Sequence, residues 1–212
     1  MPDHVPASPA AVRLAELGER YFRVQHAYDP YNATLLGIDE FDHLAGDPSA
    51  AASADAASAL ADVAAQADAL DDVDLEDDQR TDRDVLAVLA RGAADDARHS
   101  LWAANASAKG YVSRQGLVFQ AVPAMTVDTA PAADRYLARL DGVAGVLDGL
   151  GDRYAEETAA GRPSTRMGLA HAVQQLEGYL ALPLDDDALL SARMTGPGPT
   201  SVISTRSSPA DP

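Results

Sequence analysis

Five histidines offer the first candidate chemistry: His4, His26, His43, His99 and His171. A zinc peptidase of the H-E-x-x-H kind needs two histidines at i and i+4 on one helical face. The glutamate after the first then polarises the metal-bound water. The last helical pattern offers "HAVQQ", residues 171–175, where Ala172 takes the glutamate position and Gln175 the second ligand position. That run cannot build the site. The remaining histidines have no neighbour at ligand spacing and read as isolated core or surface residues.

The acidic run "DVDLEDD", residues 72–78, alternates like a calcium loop. Such a loop needs glycine at its sixth position and glutamate at its twelfth. Counted from Asp72, those positions hold Asp77 and Arg83. An acidic turn at a helix start, favoured by the helix dipole, explains the run better. Glu156 and Glu157 are adjacent, so on a helix they diverge by about 100° and cannot share a substrate atom. The chain has no G-x-S-x-G, no G-x-x-x-x-G-K and no G-x-G-x-x-G. Its two sequons, at Asn32 and Asn105, read as chance. Without cysteine, disulfides, thiolate-bound zinc and a thiol nucleophile are excluded. No residue qualifies as catalytic, metal-binding or cofactor-binding.

The elements that would carry any site are helical. Ser8 can cap a first helix with Pro9 at its first position, and Leu14, Leu17, Tyr21, Val24 and Tyr28 recur on one face. Asp29-Pro30 ends it, and a short helix over about 30–36 stops at Gly37. Residues 45–58 are small and polar, which suggests a connector. A helix follows with Leu60, Val63, Ala67 and Leu70. After the acidic turn comes a long helix with Val85, Leu86, Leu89, Ala93 and Ala97, reaching Leu101 or Trp102. Residues 105–128 lose the period, with one short helix expected and strand hints only at 111–113 and 117–118. Thr129 then caps a helix whose stripe is Ala133, Leu137, Leu140, Ala144, Leu147, Gly151 and Tyr154. Ser164 or Thr165 caps the last, with Leu169, Val173, Leu176 and Leu180. The class is all-α, an antiparallel array of about six helices.

Charge and composition narrow the function classes. The formal net charge is −17, from 33 acids against 16 bases. A surface this acidic repels nucleic-acid phosphates and anionic membranes. No apolar run approaches the ~18 residues of a membrane span, and the N-terminus lacks a secretory pattern. The expected location is the cytoplasm. Residues 191–212 are dominated by Pro, Gly, Ser and Thr, a composition expected to be disordered.

Five of the eleven aromatics fall between Tyr21 and Phe41, around "YFRVQHAYDPYNATLLGIDEFDHLAGDPS". This stretch resembles the N-terminal signature of the DUF885 family: a helix ending in an aromatic, a Pro-x-x-Ala-Thr-x-Leu-Gly-Ile run, an aromatic followed by Asp, then Asp-x-Ser. Pro30, Ala33, Thr34, Leu36, Gly37, Ile38, Phe41, Asp42, Asp47 and Ser49 stand at those positions. The resemblance continues through "RTDRDVL" and "AADRYLARLDGVAGVLDGLGDRY" to "AAGRPSTRMGLAHAVQQLEGYLALPLDDDALL", about residues 10–190 in all. It implies a zinc metallopeptidase-like hydrolase whose H-E-x-x-H and further glutamate ligand lie later in the chain, in a part without counterpart here.

The expectation is therefore a helical N-terminal portion over 1–190, inactive alone, followed by a disordered or frameshifted tail over 191–212. Zinc is implied for the full-length family only, and the implied partner is the missing C-terminal half. The aromatics of the signature stretch read as structural mortar that docks a helix corner. The alternative is a free-standing acidic helical domain whose acidic face or aromatic corner binds a protein or peptide. Calcium buffering by residues 68–84 is a third, weaker reading.

Overall fold

The computed structural model describes residues 8–109, 111 and 113–190. The expected tail over 191–212, and His4, lie outside the described residues. Among the described residues seven α-helices follow one another: α1 (Pro9–Tyr28), α2 (Pro30–Leu35), α3 (Ala50–Asp68), α4 (Asp77–His99), α5 (Arg114–Ala121), α6 (Ala130–Ala159) and α7 (Arg166–Leu180), with short 3-10 turns between them. The described residues contain no β-strand, which makes the class all-α as expected. No described helix is long and apolar enough to cross a membrane.

Helix starts follow local chemistry. The hydroxyls of Ser8, Ser49, Ser113, Thr129 and Thr165 each accept the N–H of the third residue on. Each therefore satisfies a donor that has no partner within the helix. Gly37 and Gly161 close α2 and α6 at φ +80°. In both, the next residue donates five positions back, Ile38 to Ala33 and Arg162 to Glu157, which satisfies the last carbonyls.

Two apolar clusters organise the helices. The first joins α1, α3 and α4 through Leu14, Leu17, Val63, Ala67, Leu86 and Ala90. At the other end Ala56 and Ala57 meet Ala97, with Val24 and Tyr28 against them. The early part of α3 thus faces the late parts of α1 and α4. Helix α3 is antiparallel to both, while α1 and α4 run parallel. The second cluster joins α2, α5 and α6 through Tyr31, Val118, Val122, Met125, Val143 and Leu150.

Several expected faces shift. The connector over 45–58 is shorter than its composition suggested, because Ser49 caps α3 and Ser53, Ala56 and Ala57 are buried inside that helix. Small residues read as a linker, yet they let α3 and α4 approach closely. Helix α4 ends at His99, where Ser100 turns left-handed (φ 44°), and its buried face is Leu86, Ala87, Ala90, Ala94 and Ala97. Val85 and Leu89 face outward. Leu117 and Val118 are helical in α5, and Ser113 caps it, so the strand hints fail there. In α6 the buried stripe is Ala132, Tyr136, Arg139, Val143, Val146 and Leu150, and Leu137 is exposed. Two side chains inside the true period hid it: Arg139, and Glu157 further along.

Arg139 is 0% exposed. Its Nε donates to Leu44 O (2.9 Å), Nη1 to Thr34 Oγ1 (2.6 Å), and Nη2 to Phe41 O (2.7 Å) and Pro30 O (3.3 Å). Asp42 Oδ1 lies 3.6 Å away and itself accepts from Thr34 Oγ1 at 2.5 Å. One guanidinium thus collects the carbonyls of a whole irregular turn. The Thr34 hydroxyl, part of the Asn32 sequon, is committed to this network. Below the turn, α6 offers bare backbone: a Cβ on Gly142 would collide with Ala45 Cβ, and one on Gly149 would sit 2.9 Å from Pro48 Cγ.

Those contacts give opposite signs to two similar substitutions. Gly142→Ala should destabilise by about 1–3 kcal/mol through overpacking. Gly145→Ala, with nothing within 4 Å of its new Cβ, should stabilise by roughly 0.5–1 kcal/mol through helix propensity. Urea midpoints of the two variants check this, and equal effects would contradict it.

Glu157, buried at the end of α6, accepts from Arg162 Nε (2.6 Å) and pairs with Arg153 (3.2 Å). The Arg162 hydrogen bond, with both positive charges, holds its carboxyl below the usual range against the opposing effect of burial. A folded pKa below the unfolded value contributes stability above about pH 4.3 that is lost as pH falls through the depressed value. Glu157→Gln should therefore lose less stability than the wild type between about pH 5 and pH 3, measured by urea midpoints across that range.

Candidate functional site

The two apolar clusters meet along a groove of about 550 Å³. Its walls come from α1 (Tyr21, Gln25, Tyr28) and α4 (Val88, Leu89, Asp96), and its far end from Leu101, Trp102, Tyr111 and Leu117. The left-handed turn at Ser100 makes that end possible. Ser100 Oγ donates to Ala97 O (2.8 Å), and the chain leaves the α4 axis to bring Trp102 against Tyr28.

Arg114, the first residue of α5, is the polar centre of the groove. Its guanidinium lies 4.7 Å from the Tyr28 ring centre and 4.8 Å from that of Trp102. Nη1 donates to Tyr28 O at 3.0 Å, with Asp29 Oδ1 at 3.7 Å. Trp102 Nε1 donates to Tyr28 OH (3.2 Å), which also shares a proton with Ser53 Oγ (3.1 Å). The cation is thus enclosed by two electron-rich ring faces and a carboxylate, a strongly held arrangement. Behind it, Tyr154 OH donates to Gln115 Oε1 at 2.5 Å. Burial pushes the Tyr154 hydroxyl up to about 12, and Arg114 and Gln115 pull it the other way. These groups bind and orient. None of them forms a nucleophile–base pair.

A second uncovered surface lies on α7. Ala172 is buried, and Tyr179 stacks on Phe119 with ring centres 4.1 Å apart. Gln175 Nε2 donates to Ala108 O (3.2 Å), and the bare backbone at Gly168 allows close approach to Ala106 O. The stripe expected to be buried faces water instead: Leu169, Val173 and Leu180 are exposed, as are Met167, Leu182 and Leu184.

The histidines are dispersed. His26 packs edge-on against Phe22 (4.6 Å between ring centres) and His43 Nδ1 meets Glu40 O (3.1 Å), while His99 and His171 are exposed on separate helices. Among the described residues no three His, Asp or Glu side chains are placed to hold a metal ion. The acidic run is held by arginines: Asp72 and Asp84 pair with Arg83, and Asp77 with Arg80. Glu156 and Glu157 diverge as expected, one exposed and one buried.

Sequence reasoning missed Arg139, Arg114 and the Val88–Leu89 wall. For Arg139 a signal existed. It occupies a gap in the spacing Ala132, Tyr136, Val143, Val146, Leu150. For Arg114 there was none, because its partners are 86 and 12 residues away.

Residues 30–206 match the model of a family described as "Bacterial protein of unknown function (DUF885)". The match begins at Pro30, inside the signature stretch, and extends past Leu190. No curated protein and no solved structure matches the chain.

Proposed function

This chain belongs to the DUF885 family, and we propose that it forms the non-catalytic helical part of a metallopeptidase-like hydrolase. In this reading the metal-binding segment lies on sequence outside the described residues. The observation that carries the reading is the outer face of α7. Leu169, Val173 and Leu180 form an apolar stripe that the other described residues leave exposed. A helix that exposes its apolar stripe is one that docks. The described residues supply walls and anchors, with Arg139 fixing the signature turn and Arg114 fixing the junction of the clusters. The acidic, cysteine-free composition suits a cytoplasmic protein that avoids nucleic acid.

A second reading, a free-standing acidic interaction domain, is favoured by the groove between α1 and α4. Its aromatic lining is that of a polypeptide-binding surface.

Co-expression tests the first reading. A separately encoded segment bearing H-E-x-x-H from a family relative should co-purify with this chain, and Leu169→Asp with Val173→Asp should abolish the association. The chain alone should cleave no peptide. Cleavage by the chain alone that is lost with a chelator would overturn the proposal, and failure to associate would leave the interaction domain in its place.

A further inference from the structure

Helix α4 carries two apolar stripes. One is buried against α1 and α3. The other, Val85, Val88, Leu89, Gly92 and Ala93, follows i, i+3, i+4, i+7, i+8 and faces water, with Val88 64% exposed. A helix needs one such stripe to join a core, and a second marks another packing partner. Across from it α1 presents Tyr21, Gln25 and Tyr28 at i, i+4, i+7. The two helices run parallel, so the trough between them is continuous. From Val88 to Asp96 it extends about 12 Å at helical rise, just over two turns. A trough of this kind, between two helices that already pack on a third, is the open fourth place of a helical bundle. Leu101 and Tyr111, 71% and 76% exposed, stand at its far end.

Charge selects the occupant. Asp29 and Asp96 line the trough, Asp29 beside Arg114, while Asp84, paired with Arg83, lies just past its near end. The cation there, Arg114, is already held between Tyr28 and Trp102. The whole chain carries −17. A second copy would bring the same negative charge to an acidic surface. Residues 191–212 hold "GPGP" at 196–199 and no apolar i, i+3, i+4, i+7 pattern, so that segment does not supply such a helix.

We propose that this groove docks an amphipathic helix of a separate protein, apolar on one face and flanked by lysine or arginine. Leucine-sized side chains on that helix pack against Val88 and Leu89, an aromatic or leucine meets Trp102, and the basic flanks face Asp96 and the acidic surface around it. The inference holds whether or not the hydrolase reading does, since it uses none of the α7 residues.

Trp102 is the sole tryptophan of the chain and lines the groove, so its emission reports occupancy. The probes are two synthetic helical peptides of about 18 residues with one leucine stripe, one flanked by lysine and arginine, the other by glutamate. The basic peptide should shift the Trp102 emission to the blue and saturate at micromolar concentration. The acidic twin should bind at least about tenfold more weakly. Val88→Asn with Leu89→Asn should weaken the basic peptide at least about tenfold, with circular dichroism and melting midpoint unchanged because both positions are exposed. Equal binding of the two peptides, or binding indifferent to the Val88 and Leu89 substitutions, would overturn the proposal. So would no saturation at any soluble concentration. A concentration-dependent dimer dissolved by those substitutions would put a second copy in the groove, and would overturn it equally.

Discussion

The structure depends on one buried guanidinium. Arg139 enters the protein interior from the middle of α6 and carries no water with it, so every N–H must find an acceptor in protein. It finds them on α2 and the turn that follows: Pro30, Thr34, Phe41 and Leu44. The Asp42 carboxylate balances the charge, and the Tyr31 ring lies 4.9 Å from the guanidinium. Burial lowers the Arg139 pKa while Asp42 opposes that shift, and burial pushes the neighbouring Tyr31 hydroxyl up to about 12. A lysine could not replace this arginine, because one ammonium cannot reach acceptors spread around a planar fork.

This constraint explains the signature stretch. Pro30, Thr34, Phe41 and Asp42 are spaced by what one arginine can reach from a fixed helix. Gly37 supplies the left-handed turn that reverses the chain between them. The glycines at 142 and 149 admit the segment that follows, from Ala45 to Pro48. With that segment fixed, Ser49 starts α3 at one place and sets its register against α4. The α1–α3–α4 unit and the α2–α5–α6 unit thereby become one body. The aromatic groove lies on the same junction, which gives it a rigid floor and leaves its α4 wall open.

Helix number, caps and terminators were legible in the sequence because they are local. Ser8, Asp29-Pro30, Gly37, Thr129 and Thr165 do their work within four residues of themselves. Faces were less legible. In α6 the apolar pattern supports two stripes one residue apart, and only the partner decides between them. Val146 and Leu150 won over Ala144 and Gly151 because the α2 turn needed Arg139 pointing inward. In α3, alanines and serines looked like a connector because small residues carry almost no hydrophobic signal, although they pack well against an alanine-rich neighbour. The groove was invisible for a different reason. Its residues come from four separated segments, and the residue at its centre is an arginine whose aromatic partners are remote in sequence.

The most direct measurement is native-state hydrogen exchange on Arg139→Met. The substitution keeps much of the side-chain length and removes the fork, leaving Asp42 buried without its cation. The account predicts loss of amide protection concentrated over residues 30–49, equivalent to about 3–5 kcal/mol there, with α3 and α4 protected nearly as before. Unchanged protection over 30–49, or a small loss spread evenly over all helices, would contradict the claim that this one side chain fixes the signature turn and, through it, the junction of the two cores.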